Sequence, residues 1–211
     1  MEVRITANLD QLLRGLDAFA QRQLPFAAAH ALNDLAGEVQ GAEEAALRAG
    51  LDRPTGFTQR AIYRRAARKT QLEAEIGIRP IQAGYLVWQI EGGRRRPKRR
   101  AIPVPVGVVR NAHGNMPKRA LARMLARPDV FIASAGSARA GHLPPGIYKR
   151  GKSKRGRGTT QPPLELLVAF ETSATYAAKP LDFFGLADRT VRARYRAHLE
   201  RRLAEAIRTA R

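Results

Sequence analysis

Six of the seven residues from Arg94 to Arg100 are basic: Arg94, Arg95, Arg96, Lys98, Arg99 and Arg100. Between Lys149 and Arg157 six of nine are basic again: Lys149, Arg150, Lys152, Lys154, Arg155 and Arg157. Burying an ionised side chain without a partner costs more than a domain can recover from its small net stability. Both stretches must therefore lie at the surface, and the fold has to be built from the apolar segments around them. The charge is also unevenly spread. Residues 1–50 hold four basic and seven acidic side chains, a net of −3, while the remaining 161 residues carry the +23 that brings the chain to +20. The first fifty residues read as ordinary scaffold, and the remainder as a surface that meets polyanions or acidic protein.

The 211 residues suit one domain, or one domain with a large insertion, and can bury a real core. Val3 and Ile5 alternate with Arg4 and Thr6, which predicts a short strand. Asn8 and Gln11 form a capping box ahead of Leu9, Leu12, Leu13, Leu16 and Phe19 at helical spacing. Pro25 fits the first turn of a second helix, an Ala-rich one whose apolar stripe runs through Leu32, Leu35, Ala36, Val39, Ala42 and Ala46 to a stop at Gly50. Its small side chains let a neighbour approach closely, so it is the predicted central packing helix. Residues 51–57 read as a loop and Thr58 as the start of a helical turn. Leu72, Ala74, Ile76 and Ile78 alternate with Glu73, Glu75 and Gly77, predicting a half-buried strand that pairs with Ile62–Arg68 across a turn at Lys69–Thr70.

Tyr85 to Ile90 is apolar and closes with Glu91-Gly92-Gly93. Ile102 to Val109 is apolar too, but Pro103 and Pro105 confine it to an edge strand or an extended arm. Pro117 to Arg127 reads as a short basic helix and Val130 to Ala133 as a strand. Residues 134–163, rich in Gly, Ser, Pro, Lys and Arg, read as a flexible loop, because they bury too little apolar surface to order themselves. Leu164 to Phe170 is a predicted strand. The longest predicted helix spans roughly Leu186 to Thr209, with Val191, Tyr195, Leu199, Leu203 and Ile207 on a slowly winding stripe and five arginines between them. The predicted fold class is α+β: a small antiparallel sheet packed against an Ala-rich helix, with a long C-terminal helix and long basic loops. Residues 1–211 are expected to form a single domain with a loop-rich basic insertion at about 94–163.

An enzyme needs convergent ionisable groups, and none are found in the sequence pattern. His30 and His198 lie on predicted helices without an acidic or histidine partner at metal spacing, and His113 and His142 lie in loops. Asn111-Ala112-His113-Gly114-Asn115 has the look of a nuclease loop, but the second ligand helix and the nearby acids are missing. There is no phosphate-cradling Gly-rich loop, no nucleophile elbow and no paired carboxylates. The absence of cysteine removes disulfides and thiolate chemistry. We expect no catalytic residue, no cofactor and no metal. No stretch approaches a membrane span, and no basic-then-apolar signal pattern opens the sequence.

The two basic runs have two readings. One is solvated loops that aid solubility or neutralise an acidic partner subunit. The other is contact with backbone phosphates, without sequence readout, since no recognition helix or aromatic stacking set accompanies them. Trp88 is the lone tryptophan and suits core or interface packing better than nucleotide stacking. Trp88, Ile102, Val104, Val106, Arg192 and Arg196 are the residues expected at a subunit interface.

The segment Gly84-Tyr85-Leu86-Val87-Trp88-Gln89-Ile90-Glu91-Gly92-Gly93-Arg94-Arg95 resembles the Tyr-Leu-x-x-Gln-Ile/Val-x-Gly-Gly-Arg-Arg segment of the phage and prophage minor tail protein Z family. Asn111-Ala112-His113-Gly114-Asn115-Met116, the early Leu24-Pro25-Phe26-Ala27-Ala28-Ala29-His30-Ala31-Leu32-Asn33, and the basic tail helix are similar to that family as well. After Gly-Gly-Arg-Arg, family members often continue Pro-Leu-Lys-Arg-x-Glu, where this chain has Arg96-Pro97-Lys98-Arg99-Arg100. The resemblance implies a structural virion protein that completes the head-proximal end of a phage tail. It would be assembled in the host bacterial cytoplasm as a homo-oligomeric ring, as a hexamer for example. The implied partners are the tail tube, the tail terminator and head-completion proteins; within that reading residues 94–100 and 149–157 are expected to meet either the DNA end, without sequence readout, or an acidic neighbour. The alternative is a non-specific nucleic-acid-binding packaging or nucleoid protein, and an enzyme acting on nucleic acid has the least support.

Overall fold

The Ala-rich segment forms one continuous helix, α1 (Ala18–Gly50), in the computed structural model, which describes residues 1–6, 18–134, 140–151, 163–176 and 181–209. The expected first helix around Leu9–Leu16 and its Asn8 cap lie outside the described residues. Pro25 does not start a helix; it sits inside α1. A proline there removes one intrahelical hydrogen bond. The burial of Ala27, Ala28, Ala29, Ala31 and Leu32 immediately after it offsets that loss. The buried face runs through Leu32, Leu35, Ala36, Val39, Glu43 and Leu47, at three- and four-residue intervals.

Two compact units divide the chain: residues 1–91 with 178–211, and residues 92–177. The fold class is α+β. In the first unit β1 (Glu2–Thr6), β2 (Ile62–Arg65) and β3 (Glu73–Ile78) form an antiparallel sheet in the order β1-β3-β2. Between β1 and β2 lies the short helix α2 (Gly56–Gln59), capped by the Thr55 hydroxyl, which accepts from the Thr58 N–H. Ile5, Ile62, Ala74, Ile76 and Ile78 of the sheet join Leu32, Leu35 and Val39 of α1 in one apolar core. The Asn33 side chain ties α1 to the β2–β3 hairpin. Its Oδ1 accepts from Ala67 N at 2.7 Å and its Nδ2 donates to Ala67 O at 3.0 Å.

β3 differs from its predicted half-burial, because Ala74 through Ile78 are all buried. The outer face is covered by the neighbouring strand. Tyr63 stands opposite Gly77, and a Cβ on Gly77 would fall 2.7 Å from the tyrosine ring. Arg65 stands opposite Glu75 and reaches it at 3.1 Å. The Tyr63 hydroxyl donates to the Glu75 carboxylate, and that bond, followed by the Arg65 charge, holds the Glu75 pKa below its ordinary value despite its burial.

The apolar stretch before Gly92 is the helix α3 (Pro80–Ile90), with Pro80 at its first position and Leu86 and Ile90 in the core. Gly92 and Gly93 follow at φ +72° and +102°, conformations that disfavour any side chain. This accounts physically for the paired glycines at this position. The last helix of the unit is α5 (Phe183–Thr209). Its expected stripe fails at its end, where Ile207 is 75% exposed. Residues spaced strictly by four drift about 40° per step around a helix of 3.6 residues per turn. The face turned inward instead passes through Phe183, Ala187, Val191, Tyr195 and His198.

The second unit opens and closes with a two-stranded ribbon, β4 (Gly93–Arg95) against β9 (Ala174–Tyr176). Between them β5 (Ile102–Pro105), β6 (Val130–Ala133), β7 (Gly146–Arg150) and β8 (Leu164–Glu171) form an antiparallel sheet in the order β5-β8-β7-β6. The helix α4 (Ala120–Leu125) precedes β6. β7 corrects the sequence expectation of one flexible loop over 134–163. Gly146, Ile147 and Tyr148 are buried between β6 and β8, so five residues suffice for a strand when two neighbours supply its partners. One face of the sheet packs Phe131, Tyr148 and Leu166 with Ala140 and Leu143. The other packs Ile147, Val168 and Phe170 with Leu121 and Met124 of α4.

Candidate functional site

The charge is concentrated in the second unit. Residues 92–177 contain 18 basic and three acidic side chains, a net of +15, whereas the rest of the chain contains 20 and 15, a net of +5. Arg94 and Arg95 lie on β4, opposite Thr175 and Ala174, and Arg96, Lys98, Arg99 and Arg100 continue along the exposed connection to β5. None of these six meets a carboxylate among the described residues. Of the three acids, Asp129 is paired with Arg127 at 2.7 Å and Glu165 with Lys149 at 3.0 Å. Glu171 stands opposite Ile102 at the end of β8.

The second basic run is placed differently. Lys149 and Arg150 belong to β7, where Lys149 bonds Glu165 and the Arg150 guanidinium lies 4.7 Å from the centre of the Phe131 ring. Lys152, Lys154, Arg155 and Arg157 lie outside the described residues. The described parts of the two runs open on different clefts. Arg99 and Arg100 border one of about 930 Å³; Lys149, with Arg123 and Arg127, borders one of about 410 Å³.

Register fixes what each sheet edge offers. Val106 N donates to Leu167 O at 2.9 Å, and the same alternation turns Ile102 and Val104 toward β8. Pro103 and Pro105 thus occupy the positions whose N–H groups would face outward. Proline has no N–H, and the outward carbonyl of Pro105 accepts from Arg110 at 2.6 Å. The β5 edge therefore lacks the donors that an added strand requires. Ile102–Pro105 is thus the edge strand that its prolines predict. Val104 and Val106 are 38% and 55% exposed, and Ile102 is half-buried.

The larger cleft lies on the α4 side of the sheet. Its walls are apolar, formed by Pro103, Phe170, Ile132 and Pro145 on the sheet side and Leu121 from α4, with Arg99 and Arg100 at its rim. Ile132 is 48% exposed, although it lies on a strand. No feature of the sequence pattern marked this cleft, because its walls come from strands far apart in the chain.

The remaining expected interface residues belong to the other unit. Trp88 is half-buried on α3. Arg192 and Arg196 are exposed on α5, and each is bonded within its own helix, to Asp188 at 2.9 Å and to Glu200 at 2.6 Å.

His198 has partners that helix spacing did not reveal. It is buried on α5 and faces α1, where Glu38 Oε1 lies 3.1 Å from its Nε2. Arg201 lies 2.8 Å from its Nδ1, and since a guanidinium only donates, that nitrogen accepts. Arg202 donates to both oxygens of Asp34, at 2.6 and 2.9 Å, and Arg201 donates to Asp34 at 2.8 Å. These bonds, led by Arg202, hold the Asp34 pKa below its ordinary value. The network joins two helices, and among the described residues no hydroxyl or thiol nucleophile takes part in its bonds. Elsewhere, His30 is exposed and packs its ring against Phe26 at 4.4 Å between centres, and His113 and His142 are exposed. Among the described residues, no three histidine or acidic side chains are grouped so that they could hold a metal ion, and no helix is long and apolar enough to cross a membrane.

Glu43 is the other ionisable group that the sequence left unmarked. It is buried on α1, and its Oε1 has no hydrogen-bond partner among the described residues. Burial, and then the nearby Asp182 charge, push its pKa up to about 8, against a smaller opposing effect from Arg189.

No protein-family model, no curated protein and no solved structure matches this chain.

Proposed function

We propose that this chain is a non-enzymatic structural protein of a tailed-phage virion, acting at the head-proximal end of the tail. The single observation that carries the assembly role is the segregation of charge. One compact unit holds +15 of the +20, on cations that its own carboxylates leave largely uncompensated. A surface of that kind finds its complement in another molecule. The other unit, with its partly buried helix-to-helix ion network, is the scaffold. The phage setting is supported by the resemblance of Gly84–Arg95 and the neighbouring blocks to the minor tail protein Z family. In that setting the complement is an acidic neighbour in the neck or the end of the packaged DNA.

The reading is tested by replacing Arg94, Arg95, Arg96, Lys98, Arg99 and Arg100 with Ser in the phage. All six are partly or fully exposed, so the fold should persist. Tails that form but join heads poorly are expected, and normal infectivity would overturn the role.

A second reading, a free nucleic-acid-binding protein, draws on the same unpartnered arginines. It requires the purified chain to bind duplex DNA tightly, with affinity falling steeply as salt rises. Weak DNA binding together with concentration-dependent oligomers favours the structural role.

A further inference from the structure

We propose that the cleft between α4 and the four-stranded sheet is a docking groove for an extended segment of a partner protein, one that carries large apolar side chains beside carboxylates. The inference is independent of the phage setting and rests on three observations within one unit.

The first is the chemistry of the walls. Ile132, Phe170, Pro103 and Leu121 line about 930 Å³ of open space, which is ample for two or three large apolar side chains. A half-exposed isoleucine on a strand, beside a phenylalanine, leaves apolar surface in water that a partner would remove.

The second is charge. Arg99 and Arg100 stand at the rim, and the unit has no acid to offer them. Asp129 and Glu165 are engaged by Arg127 and Lys149. Glu171 pairs with Ile102, so it projects to the face of the sheet opposite Pro103 and Phe170. The complement of two free guanidinium groups beside an apolar slot is a segment with carboxylates next to its apolar anchors.

The third observation weighs against two other occupants. A second copy of this unit would bring +15 against +15, so self-docking is opposed at moderate salt. Nucleic acid would satisfy the arginines but would leave the apolar walls wet. The groove has one aromatic wall residue and no set of stacking platforms.

The test uses the full chain and two ten-residue peptides. One holds two Phe and one Leu among four Glu, and the other holds the same Glu with Ser in place of the apolar residues. Binding is followed by calorimetry, with a short DNA duplex as competitor. Two variants probe the site: Ile132→Glu, which places a charge on the apolar wall, and Arg99→Glu with Arg100→Glu at the rim. Both alter exposed positions, and circular dichroism checks that the fold is kept. The apolar acidic peptide should bind, the Ser peptide should bind at least tenfold more weakly, and each variant should lose about tenfold, the equivalent of about 1.4 kcal/mol. Four outcomes overturn the proposal: no binding of the apolar acidic peptide, equal binding of the two peptides, unchanged affinity in Ile132→Glu, or complete displacement by DNA. Self-association of the wild-type chain that is abolished by Ile132→Glu would assign the groove to a second copy and would also overturn it.

Discussion

Replacing Glu43 with Gln should abolish a pH dependence of stability that the wild-type chain displays between about pH 4.5 and 8. In the folded chain the carboxyl sits at about 8, against an ordinary value of 4.5. Between those values the folded state holds a proton that the unfolded state has released. Stability is therefore full below pH 4.5, falls as pH rises, and levels off above about 8. Each pH unit in that window is worth about 1.4 kcal/mol, so by pH 7 the wild type has lost about 3 kcal/mol of the stability it has at acid pH. Glutamine keeps the shape and does not titrate. Its amide carries a burial cost of its own, about 1–3 kcal/mol if unbonded, so the slope with pH is the readout and the offset is not. Urea unfolding at half-unit steps from pH 5 to 8.5 measures it. Trp88, the one tryptophan, lies half-buried on α3 and reports on the unit that contains Glu43. A wild-type slope that persists unchanged in Glu43→Gln would refute the reasoning.

Two further perturbations test other parts of the structure. Asp34→Asn removes the carboxylate that takes both Arg202 bonds, and with Asp34 only 25% exposed the expected loss is about 2 kcal/mol, between the values for exposed and buried pairs. Because the folded-state pKa of Asp34 is depressed, that contribution is present above the ordinary 3.8 and disappears as pH falls through the depressed value. Urea titrations at pH 7 and pH 2.5 should show a large difference between wild type and Asp34→Asn at the first and a small one at the second. Pro103→Thr combined with Pro105→Val restores two outward N–H groups to β5. Self-association beyond that of the wild type should appear in sedimentation at about 0.5 M salt, where repulsion between units is screened; a variant that associates no more than the wild type would show that the prolines do not guard this edge.

Much of the fold was legible because it rests on local pattern. Ala74, Ile76 and Ile78 announced β3, Pro103 and Pro105 announced an edge strand, and the Ala-rich run announced the packing helix. The errors share a cause, which is tertiary context. Pro25 suits a helix start, since a proline inside a helix is costly, and only the buried alanines after it explain why the helix continues through it. β7 carries no local signal in its glycine- and lysine-rich stretch, because its order comes from β6 and β8. Full burial of β3 depended on Tyr63 and Arg65 covering Gly77 and Glu75. The site was less legible than the fold. The exposed basic run at 94–100 could be read directly, since charge density alone forces it to the surface. The partners of His198 could not, because Asp34 and Glu38 lie one helical turn apart on a helix more than 150 residues earlier in the chain. The apolar groove could not either, for Pro103, Ile132 and Phe170 come together only when the sheet forms.

The central claim, a structural role at the head-proximal end of a phage tail, is tested most directly by high-resolution imaging of purified virions with this chain traced in the density. Repeated copies of the chain in a ring where tail meets head are expected, with residues 94–100 against an acidic neighbour or the DNA end. Absence of the chain from purified particles, or its presence only at the distal tip of the tail, would contradict the claim.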